Sequence, residues 1–141
     1  MNLVYNSSDV YMAPIAGEGF NLPLLEAMSA GLPCLATDYS TSQELIGDCG
    51  ILGKLATYQN RKSVTISSYN CVEFAIPDIY DFANKLEILY KNPKLRADLG
   101  AKATFKATSK FDWNIVVSQW KEFLDKTCNI ELPEAWKKAL E

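Results

Sequence analysis

The sequence predicts an α/β fold, with a small parallel sheet in the first third and a helical C-terminal part. Two observations carry this. Apolar runs at 9–14, 33–37 and 50–52 enclose a helical pattern at 22–30, and strand–helix–strand alternation calls for parallel pairing through right-handed crossovers. Further on, Ile79, Phe82, Ala83, Leu86, Leu89 and Tyr90 recur at the three-and-four spacing of one helix face.

The first strand, Asp9 to Pro14, is bounded by those two residues. Residues 15–21 form a loop with two glycines around Glu18. Leu22 to Ala30 reads as a helix with Asn21 as N-cap and Pro23 tolerated in the first turn. Gly31 ends it as a C′ glycine. Pro33 to Thr37 is the second strand, Gln43 to Ile46 a short turn or helix, and Gly50 to Leu52 the third strand. Residues 53–77 carry no clear period, although Val64-Thr65-Ile66-Ser67 alternates like one strand of an inserted hairpin. Asp78 caps the helix over 79–91, and Asn92-Pro93 opens the next, over roughly 93–108. Asp112 caps a third helix whose apolar face is Trp113, Val116, Val117, Trp120, Phe123 and Leu124. Leu132-Pro133 breaks the chain ahead of a short helix from Glu134 to Leu140. The domain 1–141 thus divides into a sheet core (1–52), an insertion (53–77) and a helical part (78–141).

Composition narrows the function. The chain has 141 residues, 48% hydrophobic and 22% charged, with a net charge of −3. Those values suit one globular domain, and without a basic run or basic excess they argue against nucleic-acid binding. Cys34, Cys49, Cys71 and Cys128 make no C-x-x-C pair, and there is no histidine, so a zinc site is not expected. The cysteines read as free thiols of a reducing compartment, with Cys34 in the core. No apolar run reaches transmembrane length, and the first nine residues lack the basic and apolar regions of a secretory signal. A cytoplasmic location is the expectation. Without histidine, acid–base chemistry near neutral pH would fall to a carboxylate, a lysine or a group from another domain.

The stretch that carries chemistry is Glu18-Gly19-Phe20-Asn21-Leu22-Pro23-Leu24-Leu25-Glu26. Ligands of open α/β sheets lie beyond the carboxyl ends of the strands, where this loop falls. The following helix N-terminus presents amides of Phe20, Asn21 and Leu22 and a partial positive charge, a seat for a diphosphate. Carboxylates beside it suit sugar recognition, because each can accept hydrogen bonds from neighbouring hydroxyls. By spacing and context alone, an ordinary loop with two solvated glutamates is the favoured reading.

Asp9-Val10-Tyr11-Met12-Ala13-Pro14, Glu18-Gly19-Phe20, Leu22 to Met28, Gly31-Leu32-Pro33, Ala36-Thr37-Asp38, Glu44-Leu45 and Gly50 together resemble the signature of the family 4 retaining glycosyltransferases, the group 1 transferases. The resemblance is dense over 3–52 and looser over 79–124. It implies the GT-B architecture of two Rossmann-like domains, with this chain as part of the C-terminal, donor-binding one. It implies transfer of a glycosyl group from a nucleotide-sugar, with retention and without a metal or other cofactor. No Asp-x-Asp triplet occurs. By the same resemblance Glu18, the catalytic-site candidate, contacts the donor sugar. Glu26 holds the nucleotide ribose hydroxyls. Gly19, Phe20, Asn21 and Leu22 bring backbone amides to the donor. The family has glycine where this chain has Asn21, whose side chain would crowd a close sugar. Glu44 either matches a family glutamate or braces its own loop.

Two departures shape the expectation. The family's N-terminal acceptor domain and the first half of its donor domain are missing, and no lysine or arginine occurs before Lys54. The electrostatic clamp on a departing diphosphate would have to come from elsewhere. The chain is therefore expected to be the donor-side part only, inactive alone. The alternative is a non-enzymatic module, or half of a split enzyme that requires a partner chain. The strand at 9–14 would expose an unpaired edge, with the helices around 79–91 and 113–127 covering one face, so self-association through residues 1–14 is expected.

Overall fold

A computed structural model describes residues 2–59, 61–66 and 73–128. The expected break at Leu132-Pro133, the helix from Glu134 to Leu140, Ser67 and Cys71 lie outside the described residues. The chain divides into two compact units, 1–108 and 109–141.

The first unit opens with α1 (Asn2–Asn6), followed by β1 (Tyr11–Ala13), α2 (Leu22–Ser29), β2 (Cys34–Thr37), α3 (Ser42–Ile46) and β3 (Ile51–Gly53). The three strands form one parallel sheet in the order β1-β2-β3, with Tyr11 opposite Cys34 and Leu35 opposite Ile51. This is the expected α/β sheet, with β1 shortened to the middle of the 9–14 run and β3 displaced one residue toward the C-terminus. α1 was not foreseen. β2 is buried along its whole length, as a central parallel strand must be when both faces are covered.

Each face has its own helices. Leu35 joins Phe82, Leu89 and Leu99 in an apolar cluster, with Val10, Ile51, Leu86 and Leu95 packed against it. Successive strand residues point to opposite faces, so Cys34 and Ala36 face the other way. Both are fully buried, on the side to which right-handed crossovers carry α2 and α3. Burial, with Cys49 nearby, pushes the Cys34 thiol up to about 12, which makes it a core residue rather than a reactive one.

Residues 53–77 resolve into two antiparallel ribbons: β4 (Thr57–Tyr58) with β5 (Arg61–Lys62), and β6 (Val64–Ile66) with β7 (Glu73–Ala75). The expected hairpin strand at Val64 is β6. Its partner β7 is tied back to the loop after β1, because the Ala75 amide donates to the Ala16 carbonyl at 2.7 Å.

α4 (Ile79–Lys91) and α5 (Pro93–Lys110) follow. The Asp78 carboxylate accepts from the amides of Tyr80 and Asp81, the cap read from sequence. Of the expected α4 face, Phe82 and Leu89 are buried and Leu86 partly so, whereas Ile79 and Tyr90 are 71% and 79% exposed. The buried stripe is narrower than the periodic one, because only its centre meets β2 and β3. Asn92 does not cap α5 with its side chain. Its amide donates back to the Ile88 carbonyl of α4, while its own carbonyl takes the Arg96 amide.

In the second unit, α6 (Trp113–Cys128) begins at Asp112, whose carboxylate accepts from the Asn114 amide at 2.8 Å. Within it the rings of Trp120 and Phe123 meet edge to face at 5.9 Å.

Candidate functional site

The loop between β1 and α2 leaves the carboxyl end of an edge strand and enters a helix N-terminus, the geometry expected from sequence. Asn21 is the hinge. Its backbone is left-handed, with φ 67° and ψ 62°, a region that asparagine tolerates better than most non-glycine residues. Its side chain is buried, and Oδ1 accepts from the Leu24 amide at 3.3 Å. The amide therefore folds under its own helix. Its Nδ2 is buried and finds no acceptor among the described residues. Pro23 has no amide hydrogen, and the Leu24 amide is already capped. Among the described residues the α2 donors that remain open are therefore at Leu22 and Asn21.

Glu18 lies in the loop ahead of that terminus and Glu26 within α2, one turn beyond it, and both are exposed. Glu18 is fixed by its backbone, since the Ser40 hydroxyl donates to its carbonyl at 2.7 Å. Glu26 is fixed by its side chain, since the Tyr5 hydroxyl donates to Oε2 at 2.8 Å. Removal from water and that bond raise the Tyr5 hydroxyl from 10.0 to about 12. Tyr11 lies between the elements, 6.3 Å from the Tyr5 ring centre. Its hydroxyl is pushed up by burial and then by the fields of Cys34, Glu18 and Glu26. Both carboxylates thus act on one neighbouring phenol.

Gly19, Phe20 and Leu22 are exposed along the rim. Glu44 lies in the first turn of α3 with its side chain exposed, and its carbonyl accepts the Lys106 ammonium at 2.8 Å. Among the described residues no three His, Cys, Asp or Glu side chains gather into a metal cage. No described helix is long and apolar enough to cross a membrane.

Glu18 and Gly19 also line a cavity of about 620 Å³, with Tyr39, Ser40, Glu73 and Phe74 on its other walls. Sequence reading missed Tyr5, Tyr39 and Glu73. They come to the site from α1, the loop after β2, and β7, and no spacing rule links them to Glu18 or Glu26.

Residues 1–64 match the family model described as glycosyl transferases group 1. The chain is 32% identical over 114 residues to a phosphatidyl-myo-inositol mannosyltransferase of Mycobacterium leprae, covering 80% of this chain and 25% of that protein. It is 29% identical over 114 residues to the protein of the same description from Mycolicibacterium smegmatis, covering 80% of this chain and 24% of the relative. Over 49 residues it is 37% identical to O-antigen chain mannosyltransferase B of Escherichia coli, covering 35% of this chain and 13% of that protein. The chain spans about a quarter of the length of the mycobacterial relatives.

Proposed function

Because the chain belongs, through residues 1–64, to the group 1 glycosyl transferases, we propose that it supplies the donor-side carboxylates and loop of an enzyme that moves a hexose from a nucleotide-sugar to an acceptor with retention. Mannose is the proposed hexose, because the similar proteins are described as mannosyltransferases. The observation that carries this reading is the pair of exposed carboxylates, Glu18 and Glu26, flanking the open amides at the start of α2.

Each group has a place in the chemistry. The diphosphate sits at the α2 terminus, where the Leu22 and Asn21 amides and the helix dipole meet negative charge. Glu26, with Oε2 occupied by Tyr5, offers its other oxygen to a ribose hydroxyl. Glu18 accepts from hydroxyls of the transferred sugar, and its charge lies where positive charge grows on the sugar ring as the bond to phosphate breaks. Among the described residues no cation lines the cavity beside this loop, and the first lysine in the sequence is Lys54. The groups that neutralise the leaving diphosphate therefore come from outside this chain, from a further domain or a partner chain. The isolated chain binds donor without turning it over. No metal is required by this scheme, and a cytoplasmic location suits a soluble nucleotide-sugar.

Amide NMR titrations with GDP and GDP-mannose test the assignment. Glu26→Ala is expected to weaken both ligands, by about 1.5–3 kcal/mol for each charge-assisted hydrogen bond lost. Glu18→Ala is expected to weaken GDP-mannose and leave GDP unchanged. Equal loss for both ligands in the Glu18 variant would refute its role at the sugar.

A further inference from the structure

The second wall of the Glu18 cavity comes from β7 and from the loop after β2. We infer that Glu73, held by Tyr39, is a specificity-determining residue that accepts hydroxyls of a saccharide lodged between it and Glu18. The inference rests on the donor-side reading of this loop and adds a second polar wall to it.

The wall is built rather than incidental. The Ala75 amide donates to the Ala16 carbonyl at 2.7 Å, which pins the ribbon to the loop that carries Glu18. A side chain on Gly17 would meet the Glu73 carbonyl and the Tyr39 ring, each at 3.8 Å, so three segments converge there. The Tyr39 hydroxyl donates to Glu73 Oε1 at 2.9 Å and fixes the carboxylate at the rim. Oε2 has no partner among the described residues. Ser40, which holds Glu18 through its carbonyl, is itself left-handed at φ 55°. The same turn therefore orients both walls.

The chemistry matches a sugar. The cavity has about 620 Å³, two carboxylates and the aromatic side chains of Tyr39 and Phe74, with no cation among the described residues of its walls. An anionic ligand would be repelled. An uncharged polyol gains charge-assisted hydrogen bonds from its hydroxyls and apolar contact from its C–H faces. The saccharide is either the hexose of the donor or a sugar of the acceptor, and both present the same hydroxyls.

The test uses the whole chain and three probes: GDP, GDP-mannose and methyl α-D-mannopyranoside, each followed by saturation transfer and amide shifts. Glu73→Gln removes the charge from an exposed position, and its thermal melting should match wild type. It is expected to weaken a mannose-bearing probe about tenfold, the difference between a charged and a neutral acceptor, and to leave GDP unchanged. Tyr39→Phe should weaken the same probe by a smaller factor. Loss confined to GDP-mannose identifies the donor hexose. Loss confined to methyl mannoside, measured with GDP-mannose present, identifies an acceptor sugar. If neither mannose probe is weakened, or neither saturates the cavity, the inference is wrong. Mannoside binding that depends on Glu73 without any GDP binding would instead leave the saccharide site standing and sink the nucleotide reading.

Discussion

At Tyr5, a phenol on a five-residue helix holds the carboxylate that the family resemblance assigns to the ribose. Removal from water and then the bond to Glu26 favour the neutral phenol, so its folded pKa of about 12 lies above the ordinary 10.0. A raised pKa means that this contribution to stability is complete below pH 10 and is lost as pH rises through about 12. Carbon NMR of tyrosine Cζ should show Tyr5 titrating near 12, and Glu26→Gln should draw that midpoint back toward 10.0. A Tyr5 midpoint at the ordinary value in the unaltered chain would show that the bond is absent. Sequence pattern singled out Glu26 and not Tyr5, because their 21-residue separation belongs to tertiary packing rather than to any helix or strand period. Asn21 was visible as a cap. Its left-handed φ explains why glycine suits this position in the family, and its burial removes the expected crowding of a sugar by its side chain.

Among the elements, α5 shows what small residues accomplish. Gly100, Ala103 and Ala107 are buried along it. A Cβ on Gly100 would stand 2.1 Å from the Gly31 carbonyl oxygen, a contact with backbone that cannot rotate away. The close approach lets the Thr104 hydroxyl donate to the Met28 carbonyl at the end of α2. Gly100→Ala should push α5 off that helix end and cost about 1–3 kcal/mol, the range for overpacking a tight contact. Urea unfolding measures it, and an unchanged midpoint with an unchanged slope would show that the helices are not so tightly docked. Long periodic elements were legible in the sequence for the same reason that they are stable: α4 and α5 carry repeated apolar positions and flanking cap or proline signals. Of the ribbons only β6 gave a signal, the alternation from Val64 to Ile66; β4 and β5 have two exposed residues each and β7 has three residues, too few to establish a period. α1 is likewise shorter than the length at which helix propensity alone decides. Among the elements not foreseen are α1 and β7, and these bring Tyr5 and Glu73 to the site.

For the whole molecule, the open question is what meets the outer edge of β1. The sheet runs β1-β2-β3, so one side of β1 pairs with no strand among the described residues. The ribbons of 53–77, the nearest candidates to close that edge, pair with one another instead. Contrary to the expectation of one bare face, α2 and α3 pack on one side of the sheet and α4 on the other, so the part of the sheet left open is its edge. Met12 on β1 is 46% exposed. A groove of about 640 Å³ starts at Asp9 and Val10, just before β1, with apolar walls at Ala83, Leu86 and Tyr90 and the charged Glu87 and Arg96 at its side. An unpaired strand bordered by apolar surface is a template for another chain. The isolated protein should therefore self-associate through β1, with its average mass in sedimentation equilibrium rising with concentration. Met12→Lys should return it to monomer without lowering its melting temperature, because a charge at an exposed edge position blocks pairing and disturbs no buried contact. A monomer at every concentration, with the amides of residues 11–13 strongly protected from exchange, would show that the chain covers this edge by itself.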